Sequence, residues 1–552
     1  MHTNKYLAPF LMLLSLFCQP ATAATPGAEW QWSVPMGKGR AFLWIPPDCK
    51  QVRAVVVAQN NMIELGILEH PDLRATLSEL GIAEVFIAPI FDTRFDFTNG
   101  AGEIFTDLLK RLAEVSGYSE LEFAPVIPLG HSACASFPWN FAAWNPGRTL
   151  AVLSIHGDAP QSKFPGSGKP NPDWGDRNID GIPSLMVMGE FEWGDDETGV
   201  DRLGPALDFK NRHPQSAIAM LAEPGSGHFN YSDELVRFIA RFIQKAAAAR
   251  LPDNAPIDTP PQLRPVDPAK GWLVQRWRMN QPRTVPPAPV AKYTSDPHEA
   301  FWAFDEETAR DINDFAADCP GKKPQLLSVT SGGMPPEQGC GEPVTPRFVP
   351  GEDGVTFRVQ TAFMDFVPGD ATHNQNAARW AYAPPGTKLG HASGGGPIQL
   401  HKIVGPAELV GPNTFALRLN RLNWANPERG ASIWIWASHP GDDTYKAIVQ
   451  QAAITVPVNR EGSDQHIDFP QIPDQPVSQK SIKLNATSDA GTKVSYYVGE
   501  GPAVVEGTTL TFTKIPPRAK FPVKATIVAW QHGLPGKVKT AEPVTRDFLI
   551  NK

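Results

Sequence analysis

From Trp30 to about Arg250, short apolar runs alternate with amphipathic stretches along the chain. Val55, Val56 and Val57 form the centre of one run at 54–58, and 85–88 forms another. Both read as strands buried on two faces. Two short strands at 30–34 and 41–45 come before them. Residues 72–80 predict a helix, and Phe105, Leu108, Leu109 and Leu112 fall on one face of a second. Further strands are predicted at 126–129, 150–155, 184–188 and 217–221. A final helix carries Leu235, Phe238, Ile239, Phe242 and Ile243 on one stripe, with Ser232 as its N-cap. Strands alternating with helices in this way predict a mostly parallel α/β sheet flanked by helices.

The pattern then changes. Positions 251–290 hold ten prolines, a composition that predicts a stiff, extended connector. Trp272 and Trp277 are its candidates for docking back onto the first unit. A helix is expected at 300–314. Beyond it, short β-branched and aromatic runs between Gly/Pro turns, such as 432–437 and 521–530, predict β-sandwich structure. A chain of 552 residues must form several domains. The expected division is a leader at 1–24, the α/β unit at 25–250, a Pro-rich linker at 251–299, a β-rich unit at 300–461 and a β-sandwich at 462–552.

Charge and cysteine usage narrow the class. The net charge is −8, and no Lys/Arg-rich run appears. A nucleic acid is therefore excluded as the main partner. Lys5, an apolar core at 7–17 and the Ala21-Thr22-Ala23 triplet read as an export signal cut at Ala24. Bulky Phe17 before Cys18 argues against a lipid anchor there. No later apolar run is long enough to span a bilayer, so the mature protein is expected to be secreted or periplasmic. In that setting Cys319 and Cys340, which bracket a Pro/Gly-rich loop, read as a disulfide. Cys49 and Cys134 read as buried thiols. No metal-ligand spacing, HExxH or dinucleotide fingerprint occurs, so neither metal nor cofactor is expected.

The chemistry is concentrated at Gly130-His131-Ser132-Ala133-Cys134, directly after the apolar run Val126-Ile127-Pro128-Leu129. A strand feeding a small-x-Ser-x-small turn and then a helix holds a serine on a sharp elbow. There its hydroxyl is exposed, and the next N–H (that of Ala133) points at a developing oxyanion. A serine hydroxyl is a poor nucleophile at neutral pH, so a base must take its proton. His228 lies in Pro224-Gly225-Ser226-Gly227-His228-Phe229, between the last strand and the last helix. Gly390-His391-Ala392-Ser393-Gly394 copies the motif superficially. Gly395, Gly396 and Pro397 follow it, so no helix can start there, and it reads as a turn.

The elbow, the order of the parts and the loop position of His228 resemble the α/β-hydrolase family over about 220 residues. The resemblance implies a Ser132, acid, His228 triad in chain order. The family's acid commonly stands about three residues past a glycine like Gly189, which selects Glu192. Glu190, Asp195 and Asp158 remain alternatives. The second oxyanion donor should come from Gln59-Asn60-Asn61-Met62, with Asn61 the choice, although the family's usual His-Gly pair is missing. His131 is expected to point away from the turn, and His156 to be a structural or pocket-lining histidine. Pro138 is expected to kink the helix after the elbow.

From about Gln465, the stretch Gln465-His466-Ile467-Asp468-Phe469, the strand at 482–486 and Gly501-Pro502-Ala503 resemble a bacterial immunoglobulin-like domain, commonly a spacer or adhesion module. Trp174, in a Pro/Gly-rich insertion, and Trp193 are the candidate sugar-stacking residues; Trp139 and Trp144 read as core. Together these features imply an exported serine carboxylesterase whose substrate is a small-molecule ester or an acylated polysaccharide. A peptidase or a lipid or polyester hydrolase with the same triad is the alternative. A non-catalytic surface-binding protein is the different-class rival.

Overall fold

The computed structural model describes residues 29–162, 167–192, 203–254, 256–317, 320–341, 343–369 and 375–552. The expected leader with Cys18, and also Trp193, Asp195 and Cys319, lie outside the described residues.

Eight strands form the first sheet: β1 (Trp32–Met36), β2 (Gly39–Trp44), β3 (Ala54–Gln59), β4 (Ile82–Ala88), β5 (Val126–His131), β6 (Val152–Ile155), β7 (Pro183–Gly189) and β8 (Ala217–Glu223). Their order is β1-β2-β4-β3-β5-β6-β7-β8. β2 runs antiparallel to β1 and β4, and the six strands from β4 to β8 are parallel. The helices are α1 (Glu64–Leu68), α2 (Pro71–Leu80), α3 (Ala101–Ser116), α4 (Ser136–Trp144), α5 (Leu203–Arg212) and α6 (Asp233–Arg250). Alternation along β3 explains the layering. Val56 and Ala58 face α2 and α6, while Val55 and Val57 face α3. Ser232 caps α6 by accepting from the Leu235 N–H at 3.0 Å. This is the α/β-hydrolase fold, as the sequence predicts. The strand order reverses between β3 and β5, and such a switch point opens a ligand crevice at the strand C-termini.

The Pro-rich segment corrects an expectation. It is packed where a stiff, extended connector is expected, although Trp277 docks back onto the first unit as the sequence suggests. β9 (Trp272–Gln275) pairs antiparallel with β10 (Ala288–Pro289) and β11 (Ala300–Ala303). Trp277 and Phe301 share a core with Ile218 and Met220 of β8. Prolines stiffen the connections but leave the apolar run at β9 free to pair. The helix expected at 300–314 starts only at α7 (Glu306–Phe315), because buried β11 takes up 300–303 and Asp305 caps the helix.

A β-rich unit follows, its largest sheets being Gln399–Val404, Ser432–His439 and Ile448–Thr455, and Thr356–Arg358, Thr414–Leu417 and Ala407–Gly411. In the last unit a four-stranded sheet (Gln475–Pro476, Val544–Asn551, Val523–Trp530, Ser495–Glu500) and a three-stranded one (Ser481–Lys483, Thr509–Phe512, Ala503–Glu506) enclose Leu484, Tyr496, Leu510, Ile527 and Phe548. Both units pack on the first. Arg40 meets Glu500 at 3.2 Å, Arg518 meets Glu120 at 2.8 Å, and Phe229 packs on Trp434 with ring centroids 4.9 Å apart. The Ser393 and Gly394 N–H groups donate to Asp442, and a strand follows that turn, not a helix. Cys340 is a buried free thiol, while its expected disulfide partner Cys319 is not described. Among the described residues no helix is long and apolar enough to cross a membrane.

Candidate active site

β5 delivers the chain to Ser132 and α4 carries it away. Ser132 adopts φ +53°, a left-handed conformation that non-glycine residues rarely take. A Cβ at position 130 would collide with the Cys134 carbonyl oxygen, which is why only glycine serves there. Pro138 is the third residue of α4. In a first turn its missing N–H costs no helical hydrogen bond, so the proline is accommodated there.

Ser132 Oγ lies 2.6 Å from His228 Nε2. On the other side of the ring, His228 Nδ1 is hydrogen-bonded to Glu192 Oε1. The second oxygen, Glu192 Oε2, accepts from the Gly189 N–H at 2.6 Å and from His156 Nδ1 at 2.5 Å. Burial alone would raise the Glu192 carboxyl. The charges and hydrogen bonds of His156 and His228 outweigh it and hold the group well below the ordinary carboxylate range. An ionised Glu192 requires protons on both Nδ1 atoms. In the neutral ring with its proton on Nδ1, His228 Nε2 is the acceptor that faces Ser132 Oγ. Ser132, Ala133 and His228 are all partly open to solvent.

The other carboxylates have different work. Glu190 is fully buried and pairs with Lys446 of the β-rich unit at 2.6 Å. It also accepts from the Gly225 N–H at 2.9 Å. Asp158 accepts from Ser136 Oγ at 3.1 Å, behind the elbow. Neither is bonded to His228 among the described contacts.

The oxyanion side departs from expectation. Ala133 stands in the first turn after the elbow, where helical N–H groups have no intrahelical acceptor. Asn61, expected as the second donor, is used elsewhere. Its main-chain N–H goes to the Gln59 carbonyl at 2.9 Å and its carboxamide to the His131 carbonyl at 2.8 Å. It braces the elbow because the strand ends at Gln59 and the loop turns back toward β5. Its neighbour Asn60 is 4% exposed, and its Nδ2 has no hydrogen-bond partner among the described residues. Buried Glu64 holds the same loop, accepting from the Met62 N–H at 2.6 Å and the His131 N–H at 3.1 Å. Desolvation pushes its carboxyl up to about 7.

His131 does not simply point away. Its Nε2 donates to the His228 carbonyl at 2.7 Å, and the two rings are 5.1 Å apart. Burial first, and then His228 and His156, push its pKa well down, so it stays a neutral prop. Trp174 is also corrected. It is 1% exposed, donates to Asn140 Oδ1 at 2.8 Å and packs edge-on to Phe209, so it offers no surface for a sugar. Trp139 is core as well and donates to the Asp158 carbonyl at 2.7 Å. Sequence reasoning missed the partners of His156 and Lys446, and named the loop that holds Asn60 but chose Asn61. The only signal for His156 was its place at the end of a strand near the acid.

No protein-family model matches the sequence, and no curated protein is significantly similar to it. Solved structures that match include FphF, a fluorophosphonate-binding serine hydrolase of Staphylococcus aureus (13% identity, 40% of this chain and 99% of that one, TM-score 0.28). Est1E from Butyrivibrio proteoclasticus matches at 15% identity, over 40% of this chain and 100% of that one, with TM-score 0.27. LpqC, a poly(3-hydroxybutyrate) depolymerase from Bordetella parapertussis, matches at 14%, over 42% and 94%, with TM-score 0.27. Likeness at this level carries no argument about activity, and the fold is assigned from the strand order itself.

Proposed function

We propose that the chain is an exported serine carboxylesterase in which Ser132 is the nucleophile, His228 the general base and Glu192 the acid that orients it. The observation that carries this reading is the continuous hydrogen-bonded line from Ser132 Oγ through His228 to Glu192, with the serine on a strained elbow. Ser132 Oγ attacks the ester carbonyl carbon as His228 Nε2 takes its proton. The tetrahedral oxyanion is received by the Ala133 N–H and, in this reading, by the unspent Asn60 carboxamide. Collapse breaks the C–O bond, and His228 returns the proton to the departing alcohol. Water, deprotonated by His228, then hydrolyses the acyl-serine and regenerates the enzyme.

The part-exposed catalytic groups suit an ester carried on a large, polar substrate, and acylated polysaccharide is the class we favour. With Trp174 in the core, that preference rests on the open site and on the export signal read at 1–24. The test is labelling of the mature protein with a fluorophosphonate probe, with Ser132→Ala as control. Turnover is then compared among p-nitrophenyl acetate, acetylated xylan, a peptide amide and a triglyceride. Labelling confined to Ser132, with release of acetate from xylan, supports the full reading. Labelling with amide or triglyceride turnover alone keeps the serine hydrolase and replaces the substrate. No labelling of folded protein overturns catalysis and favours the binding-protein alternative. Export is tested by N-terminal sequencing of the mature protein, where cleavage at Ala24 is expected.

A further inference from the structure

Glu192 is gripped by two histidines, and an orienting acid needs only one. His156 Nδ1 lies 2.5 Å from Glu192 Oε2, and both side chains are essentially inaccessible to solvent. We propose that His156 is a positioning residue of the active site. In this proposal it fixes the second oxygen of Glu192, and so sets how much of that carboxylate's negative charge is offered to His228. The inference rests on the catalytic reading of Ser132, His228 and Glu192.

The local backbone is shaped for the contact. His156 stands just past β6 at φ +47°, a conformation costly for a side chain with a Cβ. Its main-chain N–H stays tied to the Val187 carbonyl at 2.8 Å. The strained turn aims the imidazole across the C-terminal ends of the strands at the acid loop after β7. Groups facing it from the neighbouring elements are few and identifiable. Glu192 comes from that loop, and Glu223 Oε2, at the end of β8, lies 3.6 Å from Nε2. His131 at the end of β5 and His228 on the loop after β8 have ring centroids 5.9 and 6.4 Å away. Glu223 is itself held by Ser226 Oγ at 3.0 Å and Ser232 Oγ at 2.5 Å.

Two consequences follow from chemistry. Without His156 the second oxygen of Glu192 keeps only the Gly189 N–H at 2.6 Å, so the carboxylate is held less firmly, and misplacement of the catalytic base is costly in rate. Hydrogen bonds from His156 also draw charge from Glu192 and so reduce what stabilises the His228 imidazolium. Without them, Glu192 holds the His228 proton more tightly. The acid limb of the kcat/KM profile then moves to higher pH.

The experiment compares wild type, His156→Leu and His156→Asn, using p-nitrophenyl acetate across pH 5–9. Asparagine places an amide N–H near the position of Nδ1 and cannot take a charge. The expected result for His156→Leu is a kcat/KM lower by about tenfold and an acid limb raised by about half a pH unit or more. His156→Asn is expected to restore most of the rate. In parallel, the downfield proton resonance of His228 Nδ1–H is followed by NMR, a readout that needs no turnover. It is expected to shift in the leucine variant and to return toward wild type in the asparagine variant. A folded leucine variant with wild-type rate, pH profile and resonance overturns the proposal, as does an asparagine variant no better than leucine. If the wild type hydrolyses nothing, the catalytic reading fails by itself, and the resonance still shows whether His156 controls the Glu192–His228 bond.

Discussion

Lys446 Nζ lies 2.6 Å from Glu190 Oε1, and the two side chains are 3% and 0% exposed. They are 256 residues apart, and Glu190 stands two residues before Glu192. The β-rich unit thus reaches into the acid loop of the hydrolase unit. Arg379 reinforces the grip by donating to the Phe191 carbonyl at 2.6 Å, and Gln451 reaches Asn230 on the His228 loop. Removing one partner of a buried pair leaves an uncompensated charge, at a cost of about 3–5 kcal/mol. Lys446→Met is therefore expected to lower the unfolding free energy by that order and to depress any turnover that depends on Ser132. A Lys446→Met/Glu190→Leu double variant should recover much of the stability. Urea denaturation of the two proteins checks this. Equal stability of the single and double variants would count against the pair.

The two asparagines after β3 should separate cleanly. Asn60→Ala is expected to lower kcat by about 100-fold with little change in KM, because a donor to the oxyanion acts in the transition state. Asn61→Ala removes the brace on the His131 carbonyl and should cost about 1–2 kcal/mol of stability, with the smaller effect on kcat. Steady-state kinetics and thermal melts of both variants decide the assignment. An unchanged kcat in Asn60→Ala would return the role to a main-chain donor.

What could be read along the chain was the part in which function imposes a local pattern. A serine on an elbow needs a strand, a small residue at position 130 and a helix start, and these are consecutive in the sequence. The order of Ser132, the Gly189 loop and the His228 loop follows from the order of strands in the sheet. What could not be read depends on burial and on distant partners. Lys446 sits between Tyr445 and Ala447 and reads locally as a solvated side chain. Its charge is met inside the fold by Glu190 and Asn280, both outside its own unit. His156 is a lone histidine at a strand end, and its partnership with Glu192 requires β6 and β7 to be side by side. Trp174 failed for the same reason. A tryptophan in a Pro/Gly-rich insertion has no local mark that distinguishes a platform from a core plug. The prolines at 251–290 suppressed an apolar run at β9 that in fact pairs.

The strain at Ser132 is itself measurable. A non-glycine residue in the left-handed region costs about 1–2 kcal/mol, and glycine there costs little. Ser132→Ala and Ser132→Gly both remove Oγ and its bond to His228, so the difference between them isolates the backbone. Ser132→Gly is expected to be the more stable by about 1 kcal/mol, despite the greater freedom of its unfolded chain. Both should be inactive. Paired denaturation curves test this. A less stable glycine variant would show that the elbow conformation is not strained.

Glu64 gives a pH dependence with a definite sign. Its carboxyl is fully buried, and desolvation, opposed by main-chain N–H groups including those of Met62 and His131, raises it from an ordinary value of 4.5 to about 7. The folded state therefore keeps a proton that the unfolded chain releases between those values. Below pH 4.5 both states are protonated and this group imposes no penalty. As pH rises from 4.5 to 7 the unfolded state ionises first, and stability falls. Above 7 the full penalty of about 3 kcal/mol is present. Glu64→Gln removes the titration while keeping a carbonyl acceptor for the His131 N–H. Its amide, however, faces the Met62 N–H with a donor in one of the two orientations. The comparison is therefore between slopes and not absolute stabilities. Urea unfolding at intervals from pH 4.5 to 8 should show the stability of wild type relative to Glu64→Gln declining with pH and levelling off above about 7. Parallel curves over that range would mean that Glu64 is ionised throughout, held by the N–H groups of the elbow and the oxyanion loop.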